Sequence, residues 1–414
     1  MPQPDRPSLP EINLADPDQF LAGHPHAAWR RLRAEAPVSW NEGTEWFPGF
    51  WSITRYDDVL AISRDTATFS SERGFNLTQD PENQTPVSGV GKILLGIDPP
   101  RHRRLRRLIT VAFTPRRIAR LEPGIRAITT GILDAMAPRG ACDFVVDVAA
   151  KLPLAAICQM TGVPDEDWDR MFTLTNQVLG AGDPEYQTTP GDPVATAARG
   201  YQEMFGYFAR LLAARRAQPR DDLVSALAAA QIDGQHLSDE EILYFCYLLI
   251  LAGNETTRNA TSGGLLALIE HPAELARLRA DPSLMPSAVE EVLRWTSPVL
   301  HMARSAKRDV ELRGVSIAAG ERVVLWYPSA NRDEEVFPES ERFDVGRTPN
   351  YHLAFGIGEH VCLGLNLARL ELRVMFEELL RRLPDLALAG DVERLRSTFI
   401  GGIKHMPIRF TPAA

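Results

Sequence analysis

Residues 355–364 read FGIGEHVCLG and place a cysteine in a glycine-rich turn directly before a helical pattern. The sequence that follows, LGLNLARLELRVMFEELLRRL, repeats apolar residues with the period of an amphipathic helix. A thiolate at the start of such a helix is stabilised by the positive end of the helix dipole. Zinc binding, nucleophilic catalysis and a purely structural role all remain open from this stretch alone.

The zinc hypothesis is the weakest of the three. It would use His352, His360 and Cys362, whose spacings of 8 and 2 residues match no usual zinc pattern, and no fourth ligand is evident. The other cysteines lack the repeated spacing of a disulfide framework, which favours a reducing, cytoplasmic setting. They fall in apolar helical patterns and are expected to fill the core: Cys142, Cys158 and Cys246.

The length and composition of the chain are those of a folded globular protein. It has 414 residues, 44% of them hydrophobic and 24% charged, with a net charge of -9 that argues against nucleic-acid binding. The longest apolar run, ILYFCYLLILAG at 242–253, is shorter than the roughly 18–20 residues needed to cross a bilayer. We therefore expect no membrane anchor. No linker divides the chain, so we expect a single, mainly helical domain over 1–414 with a minor β region and an irregular N-terminal arm at 1–25.

A long helix is predicted from Ser238 to His271. Ser238 and Glu241 form a capping box, and a proline follows the predicted end. The segment AGNETTRN interrupts its apolar half and predicts a local distortion. A carboxylate and a hydroxyl there, Glu255 and Thr256, either leave the core toward a surface arginine or deliver protons to a wet cavity.

Two further segments carry charges at helical spacing. In EEVLR, Glu291 and Arg294 share a helix face, and Arg342 in SERF could complete a buried network with them. In DPPRHRRLRRL at 98–108, His102 and Arg106 lie on one face. The remaining arginines form either a solvated basic face or a site for an anionic ligand or acidic partner: Arg103, Arg104 and Arg107.

Taken together, these motifs resemble the cytochrome P-450 family of haem-thiolate monooxygenases. FGIGEHVCLG fits the family's haem-binding pattern at every fixed position, and AGNETTR, EEVLR and SERF match three further motifs. They cover most of the chain and occur in the family's order. The resemblance implies a triangular helical prism, with haem between the long central helix and the helix after the cysteine.

The resemblance also implies roles for individual residues. Cys362 would be the axial ligand of the haem iron, and Glu255 with Thr256 would deliver protons during oxygen activation. Glu291, Arg294 and Arg342 would form a structural triad. Further residues would contact the haem: His102, Arg106, Ala252, Arg304, Phe355, Gly358, His360 and Gly364.

The implied reaction inserts one oxygen atom of O2 into a C–H bond of a hydrophobic substrate, most readily a steroid, sterol or terpenoid. Haem b would be the cofactor, and NAD(P)H would supply electrons through a reductase and an acidic ferredoxin docked near Arg103, Arg104 and Arg107. A fatty-acid hydroxylase and a haem protein without oxygen activation are the alternatives. We expect a monomer whose pocket is lined by the loops 71–97 and 180–205 and by five apolar residues: Leu248, Leu251, Ala252, Val299 and Met302.

Overall fold

The computed structural model describes residues 6–44, 48–77, 89 and 91–412. Part of the predicted 71–97 loop, residues 78–88 and 90, lies outside the described residues. The α-helices of the described residues are α1 (His26–Glu35), α2 (Tyr56–Arg64), α3 (Arg101–Thr110), α4 (Pro115–Ala119), α5 (Glu122–Met136), α6 (Lys151–Thr161), α7 (Trp168–Leu179), α8 (Pro193–Ala217), α9 (Leu223–Ala229), α10 (Asp239–Glu270), α11 (Pro272–Ala280), α12 (Met285–Thr296), α13 (Tyr327–Ala330) and α14 (Leu365–Arg382).

The strands are short and contribute much less of the chain. They are β1 (Val38–Asn41), β2 (Phe50–Ile53), β3 (Phe69–Ser70), β4 (Ala141–Asp143), β5 (Gln231–Ile232), β6 (Gln235–His236), β7 (His301–Ala306), β8 (Val310–Leu312), β9 (Val315–Ile317), β10 (Arg322–Trp326), β11 (Ala387–Leu388), β12 (Glu393–Arg394), β13 (Ile403–His405) and β14 (Pro407–Arg409). The predicted class, mainly α with a minor β region, is confirmed.

The largest sheet has five strands in the order β1-β2-β10-β7-β3. Its central strand β10 runs parallel to β2 and antiparallel to β7, so that Val323 is paired with Trp51 on one side and Arg304 on the other. All five residues of β10 are buried. This sheet therefore fixes β7, and with it Met302 and Arg304, against the helical part of the molecule.

Helix α10 crosses the centre of the helical part. The predicted capping box is present, because Ser238 and Glu241 exchange side-chain and backbone hydrogen bonds. The predicted distortion is not seen: α10 remains α-helical across 253–257. Gly253 has a packing role instead, since a Cβ there would lie 3.0 Å from Cγ1 of Ile157 in α6. Neighbouring helices, α6, α7, α8, α12 and α14, pack around α10.

The N-terminal arm is irregular but attached. Within its described residues, 6–25, the regular structure is one 3-10 turn, Pro17–Phe20. Leu14 and Phe20 are 1% and 3% exposed, and the Phe20 ring stacks on Trp326 of β10 at 6.2 Å. The arm is thus part of the apolar core beside the five-stranded sheet.

Candidate active site

One large cavity lies between α10 and the segment that carries Cys362. Its volume is about 1660 Å³, and α10, β7, the start of α14 and residues 396–400 contribute to its walls. This exceeds the roughly 300–1,000 Å³ typical of a site for one small molecule. The cavity therefore has room for a large planar cofactor together with a substrate.

Two glycines shape the loop that presents Cys362. Gly356 and Gly358 have φ angles of 63° and 77°, which L side chains rarely adopt. A Cβ at Gly358 would also lie 2.7 Å from the carbonyl oxygen of Ser63. The Cys362 N–H donates to the Phe355 carbonyl oxygen at 2.8 Å, which closes the loop, and Cys362 lines the cavity.

The Cys362 thiol experiences opposing influences. Burial raises its pKa, whereas the Gly364 N–H and the guanidinium groups of Arg106 and Arg369 lower it. Gly364 also lines the cavity, and a Cβ there would meet no protein atom within 4 Å. The backbone beside the cysteine thus lets a flat group lie close to the sulfur.

The basic side chains that line the same cavity include a group of four: His102, Arg106, Arg304 and His360. His102 and Arg304 are 1% and 4% exposed. Burial lowers the pKa of His102 to about 4 and of His360 to about 2, with nearby arginines adding to the effect, so both rings are neutral at pH 7. These four groups form no ion pair with a carboxylate of the described residues.

The polar atoms of this basic group are incompletely satisfied. Nδ1 of His102 has no hydrogen-bond partner in the described part of the chain. Arg304 donates to the neighbouring Ala303 carbonyl oxygen at 2.7 Å. Because buried cations without counter-charges are costly, the cluster fits a ligand with anionic groups, such as the two propionates of haem.

Glu255 and Thr256 are adjacent on α10 but have different surroundings. Thr256 lines the cavity, and its hydroxyl donates to the Ala252 carbonyl oxygen at 2.8 Å. Glu255 is 1% exposed and accepts a hydrogen bond from buried Arg258, which also donates to Asn176 at 2.9 Å. Burial raises the pKa of Glu255, while Arg258 lowers it. Glu255 therefore neither leaves the core nor lines the cavity, and it reaches the cavity only if its ion pair opens.

The structure brings all five predicted pocket residues to the cavity wall. Leu251 is buried in α10, and the others are partly exposed to the cavity. The segment 180–192 also contributes to the cavity wall, through Ala181 and Gly182. The five are Leu248, Leu251, Ala252, Val299 and Met302.

The proposed triad needs one correction. Arg294 makes two hydrogen bonds of 2.8 Å to Glu291, as expected from their spacing. Arg342 instead forms an exposed ion pair with Glu339 at 2.8 Å, and only its carbonyl oxygen reaches Arg294. The third member is Arg347, whose Nε lies 3.2 Å from Glu291. Arg342 lies in an irregular segment, so helical spacing could not predict where its side chain points.

The basic helix α3 is also more internally paired than expected. Arg103 forms an ion pair with Glu359 at 2.5 Å, and Arg104 pairs with Asp233 at 3.4 Å. Arg107 is exposed and has no ion pair with a described residue. Of the three predicted docking residues, Arg107 is therefore the one whose positive charge is not paired with a carboxylate of the described residues.

Two residues of the cavity region were missed. Glu371 in α14 is 2% exposed and lines the cavity. Its position could have been found, because it lies four residues after Leu367 on the apolar stripe of the helix. His301 bridges two cavity segments: its Nδ1 donates to the Thr398 carbonyl oxygen at 2.8 Å, and its Nε2 accepts from the Leu77 N–H at 3.1 Å.

The remaining cysteines are buried, and burial raises the pKa of each thiol: Cys142, Cys158 and Cys246. Across the ranges that the structure describes, no group of three or more His, Cys, Asp or Glu side chains is arranged to hold a metal ion. His352 of the zinc hypothesis lies 3.2 Å from Glu290. In the same ranges, no helix has the length and apolar character required to span a membrane.

Known proteins share both the sequence and this architecture. A family model described as "Cytochrome P450" matches residues 201–388. The methyl-branched lipid omega-hydroxylase of Mycobacterium tuberculosis is 42% identical, over 93% of this chain and 90% of its own length. The steroid C26-monooxygenase of the same organism is 38% identical, over 98% of each chain.

A solved structure extends the match to three dimensions. Mycobacterium marinum cytochrome P450 CYP268A2 in complex with pseudoionone superimposes with a TM-score of 0.91 and 37% identity, covering 99% of this chain and 100% of that chain. This similarity extends over nearly the whole chain, so it includes the cysteine loop, the long helix and the residues that line the cavity. The chain is a bacterial member of the cytochrome P450 family, and thus an oxidoreductase that incorporates one oxygen atom from O2.

Proposed function

We propose that the protein uses haem b to hydroxylate a C–H bond of a hydrophobic substrate, a steroid, sterol or terpenoid. One observation carries the proposal: a cysteine, a cluster of basic side chains without carboxylate partners among the described residues, and a threonine hydroxyl face the same largely apolar cavity. Because β14 near the C-terminus pairs with β4, we also propose that the chain folds as one domain.

The residues present fit haem. Cys362 would hold the iron, and the basic cluster would bind the propionates through His102, Arg106, Arg304 and His360. Haem, when bound, supplies the chemistry of dioxygen activation and oxygen insertion. Four residues would border its plane and edges: Ala252, Phe355, Gly358 and Gly364.

The protein's own side chains bind the substrate, exclude water and transfer protons. The apolar side chains from α10 and β7 bind the substrate and exclude bulk water from it. The Thr256 hydroxyl can accept one proton and donate another when its hydrogen bond to the Ala252 carbonyl oxygen breaks and its O–H group turns toward the cavity. Glu255 would renew that proton when the Arg258 pair opens.

The steroid or terpenoid assignment is supported by the apolar lining of the cavity and by the activity of one relative, a steroid C26-monooxygenase. A fatty-acid substrate is the second candidate. Arg73 favours it, because this exposed arginine lines the cavity and forms no ion pair with a described residue. It could bind a carboxylate while the hydrocarbon chain fills the apolar space.

A binding screen tests these assignments. Purified holoprotein is titrated with steroids, terpenoids and fatty acids while the haem spin state is followed by absorption. We expect steroids or terpenoids to shift the spin state at the lowest concentrations. A preference for fatty acids that is lost in Arg73→Gln would replace the first candidate with the second.

Two variants test the site itself. Cys362→Ser should abolish the absorption band of a thiolate-ligated, reduced carbon monoxide complex, and its persistence would remove Cys362 as the axial ligand. Thr256→Ala should still bind substrate but uncouple reductant consumption from product formation. If Thr256→Ala still formed product in full proportion to the reductant consumed, the Thr256 hydroxyl would have no role in oxygen activation.

Electrons would come from NAD(P)H through a reductase and an acidic ferredoxin. The basic helix α3 contacts the cysteine loop directly, since Arg106 donates to the Val361 carbonyl oxygen at 2.5 Å. An acidic protein docked on the outer face of α3 would therefore lie close to the cysteine side of the haem. Arg107 fits this role better than Arg103 and Arg104, because those two arginines have partners within the protein.

A further inference from the structure

His301 of β7 lies behind the cavity wall and holds two parts of it. The residue is 0% exposed, and its imidazole does not itself line the cavity. Its Nε2 accepts a hydrogen bond from the Leu77 N–H at 3.1 Å, and its Nδ1 donates to the Thr398 carbonyl oxygen at 2.8 Å. The chain beside each partner carries a phenylalanine that lines the cavity, Phe75 before Leu77 and Phe399 after Thr398. One buried side chain therefore joins two distant segments of the wall.

The partners of His301 require one form of its ring. A carbonyl oxygen can only accept a hydrogen bond and a backbone N–H can only donate one, so Nδ1 carries the proton and Nε2 the lone pair. A protonated imidazolium would lose the acceptor for Leu77. Burial lowers the pKa of His301 to about 3, whereas the Thr398 carbonyl raises it and Arg322 lowers it. The ring is therefore neutral at pH 7, and both bonds form together.

The strand that carries His301 gives it a rigid support. In the five-stranded sheet, β7 pairs with β10 on one side and with β3 on the other, and His301 is opposite Trp326. The Trp326 ring lies edge-on to the imidazole, with the ring centroids 5.0 Å apart, and its indole N–H donates to Ser52 of β2 at 3.0 Å. A side chain held by packing and by a sheet in this way can fix the position of its neighbours.

Two phenylalanines depend on this arrangement. The Phe399 ring centroid lies 5.5 Å from that of His301 and 6.5 Å from that of Phe75. The Ala303 N–H donates to the Phe75 carbonyl oxygen at 2.7 Å. The Leu300 N–H donates to the Phe399 carbonyl oxygen at 2.9 Å. His301 lies between these two backbone contacts along β7 and adds a side-chain bond to each segment.

We propose that His301 is a positioning residue that fixes Phe75 and Phe399 relative to β7 and thereby determines the orientation of a hydrophobic substrate in the cavity. An apolar substrate has few groups that form hydrogen bonds, so the shape of the wall decides which C–H bond lies nearest to the reacting atoms. A misplacement of about 1 Å can change a rate on the order of a hundredfold. This inference rests on the proposed function, but its tests do not need turnover.

Three variants of His301 separate its two bonds. In His301→Asn, the amide nitrogen takes the place of Nδ1 and can donate to Thr398, but the bond to Leu77 is lost. In His301→Gln, the amide oxygen takes the place of Nε2 and can accept from Leu77, but the bond to Thr398 is lost. His301→Phe keeps an aromatic ring and loses both bonds.

The matched control is His271→Phe. His271 follows the end of α10, where its Nδ1 donates to the Ala267 carbonyl oxygen at 2.8 Å. Its ring packs against Trp295 and Phe343, with centroids 5.4 and 5.2 Å away. It does not line the cavity. The control therefore removes a comparable histidine hydrogen bond from an aromatic setting without changing the wall.

The first test measures the two hydrogen bonds. Amide hydrogen exchange is recorded for residues 77 and 399–401 in the holoproteins. We expect His301→Phe to speed exchange about threefold to tenfold at both places, as for the loss of one hydrogen bond at each. His301→Asn should speed it at residue 77 alone, and His301→Gln at 399–401 alone. Unchanged exchange at both places in His301→Phe would overturn the proposal.

The second test measures the shape of the wall with two haem ligands of different size. Imidazole is small, whereas clotrimazole carries three aromatic rings that must fit the apolar wall. We expect His301→Phe to lower the affinity for clotrimazole about tenfold and to leave that for imidazole unchanged, as read from haem absorption. The Asn and Gln variants should each recover part of the loss. His271→Phe should bind both ligands as the wild type does.

The outcomes separate this inference from the proposed function. A folded His301→Phe that binds both ligands like the wild type would reduce His301 to a packing role and overturn the proposal. If His301→Phe does not fold, the Asn and Gln variants decide, and the same exchange pattern in both would overturn the proposal. A wild type that binds neither ligand at a haem would overturn the haem proposal instead, and hydrogen exchange alone then decides whether His301 positions the two segments.

Discussion

At the scale of the residue, Glu291 shows how one buried carboxylate organises its surroundings. It is 0% exposed and binds Arg294 through two hydrogen bonds and Arg347 through Nε. It also accepts from the Asp344 N–H at 2.9 Å and from Asn350 at 3.0 Å. Every donor around it belongs to α12 or to the segment before the cysteine loop, so Glu291 joins these two parts.

We predict that Arg347→Gln destabilises the protein while Arg342→Gln does not. Loss of Arg347 removes one charged hydrogen bond from buried Glu291, which keeps its pair with Arg294, so we expect a cost of roughly 1.5–3 kcal/mol. Arg342 pairs with Glu339 at the surface, where solvent screens the interaction, so its loss should leave stability nearly unchanged. Unfolding of the two variants by denaturant checks this, and equal effects would contradict the assignment of Arg347 to the network.

The same residues show what can be predicted from sequence. Glu291 and Arg294 follow from helical spacing, since three residues apart means one helix face. Arg347 does not follow, because it reaches Glu291 from an irregular segment where no period applies. Glu371 could have been predicted from the apolar stripe of α14.

At the scale of the element, α10 is positioned by glycines that permit close helix contacts. A Cβ at Gly264 would lie 2.6 Å from Val292 of α12 and 2.8 Å from Phe376 of α14. Gly264 therefore marks the point where three helices meet. These three helices carry Thr256, Glu291 and Glu371, so their spacing determines the distance between the cavity walls.

We predict that Gly264→Ala costs roughly 1–3 kcal/mol of stability, because the added methyl group must displace side chains in a packed junction. The matched control is Gly131→Ala in α5, where a Cβ would meet nothing within 4 Å. That change should be neutral or stabilising by up to about 1 kcal/mol, as expected for alanine in a helix. Thermal or denaturant unfolding measures both, and a harmless Gly264→Ala would contradict the close packing.

A second element-scale feature connects the segment between α7 and α8 to strand β13. Lys404 lies 3.1 Å from Asp183 and 2.9 Å from Glu185. His405 bonds to Asp143 at 2.5 Å and to Glu185 at 2.9 Å. Because Ala181 and Gly182 line the cavity, these bonds hold one cavity wall against the C-terminal strands.

We predict that the bonds of His405 to Asp143 and Glu185 weaken as pH rises. Burial alone would lower the pKa of His405, but Asp143 and Glu185 raise it above 6.5. Its contribution to stability is therefore full below pH 6.5 and is lost as pH rises through the folded pKa. The effect should be about 1 kcal/mol or less for such partly exposed pairs.

Hydrogen-exchange protection factors for residues 181–187 measure the contact. They should fall with rising pH in the wild type and become independent of pH in His405→Gln. The control is His236→Gln, which changes an exposed histidine of the β5–β6 hairpin. Unchanged pH dependence in His405→Gln would show that another group controls this segment.

Helices were more predictable than strands for a physical reason. The bounds of α10 follow from local cues, its capping box and the proline after it. Strands such as β4 and β14 have only three residues each and are held by each other across the chain. Pairing of this kind depends on contacts between distant parts of the chain, so it cannot be predicted from the local sequence.

At the scale of the whole molecule, charge is unevenly distributed. The chain has a net charge of -9, yet exposed arginines of α3, α4 and the residue after α4 have no ion pair with a described residue. The apolar side chain of Val111 is 56% exposed among them. A positive surface with an apolar centre fits an acidic partner. The arginines are Arg107, Arg116, Arg117 and Arg120.

We predict that the double variant Arg116→Glu with Arg117→Glu weakens reduction by an acidic ferredoxin about tenfold or more at low salt, since steering is electrostatic. The effect should shrink as salt rises. A control with the same change of charge is Arg210→Glu with Arg220→Glu, on and after α8. Stopped-flow reduction measures both, and equal rates for the two double variants would exclude this surface.

The late position of the C-terminal strands has a consequence for how the protein is made. Strand β14 pairs with β4, and Ile400 bridges Val299 in the cavity wall. A growing chain on the ribosome therefore holds α10 and the cysteine loop before its substrate cavity can close. At roughly 5–20 residues per second, residues 400–409 follow the cysteine loop within seconds. Binding of a hydrophobic ligand is thus a property that the chain acquires only after residues 400–409 have been made.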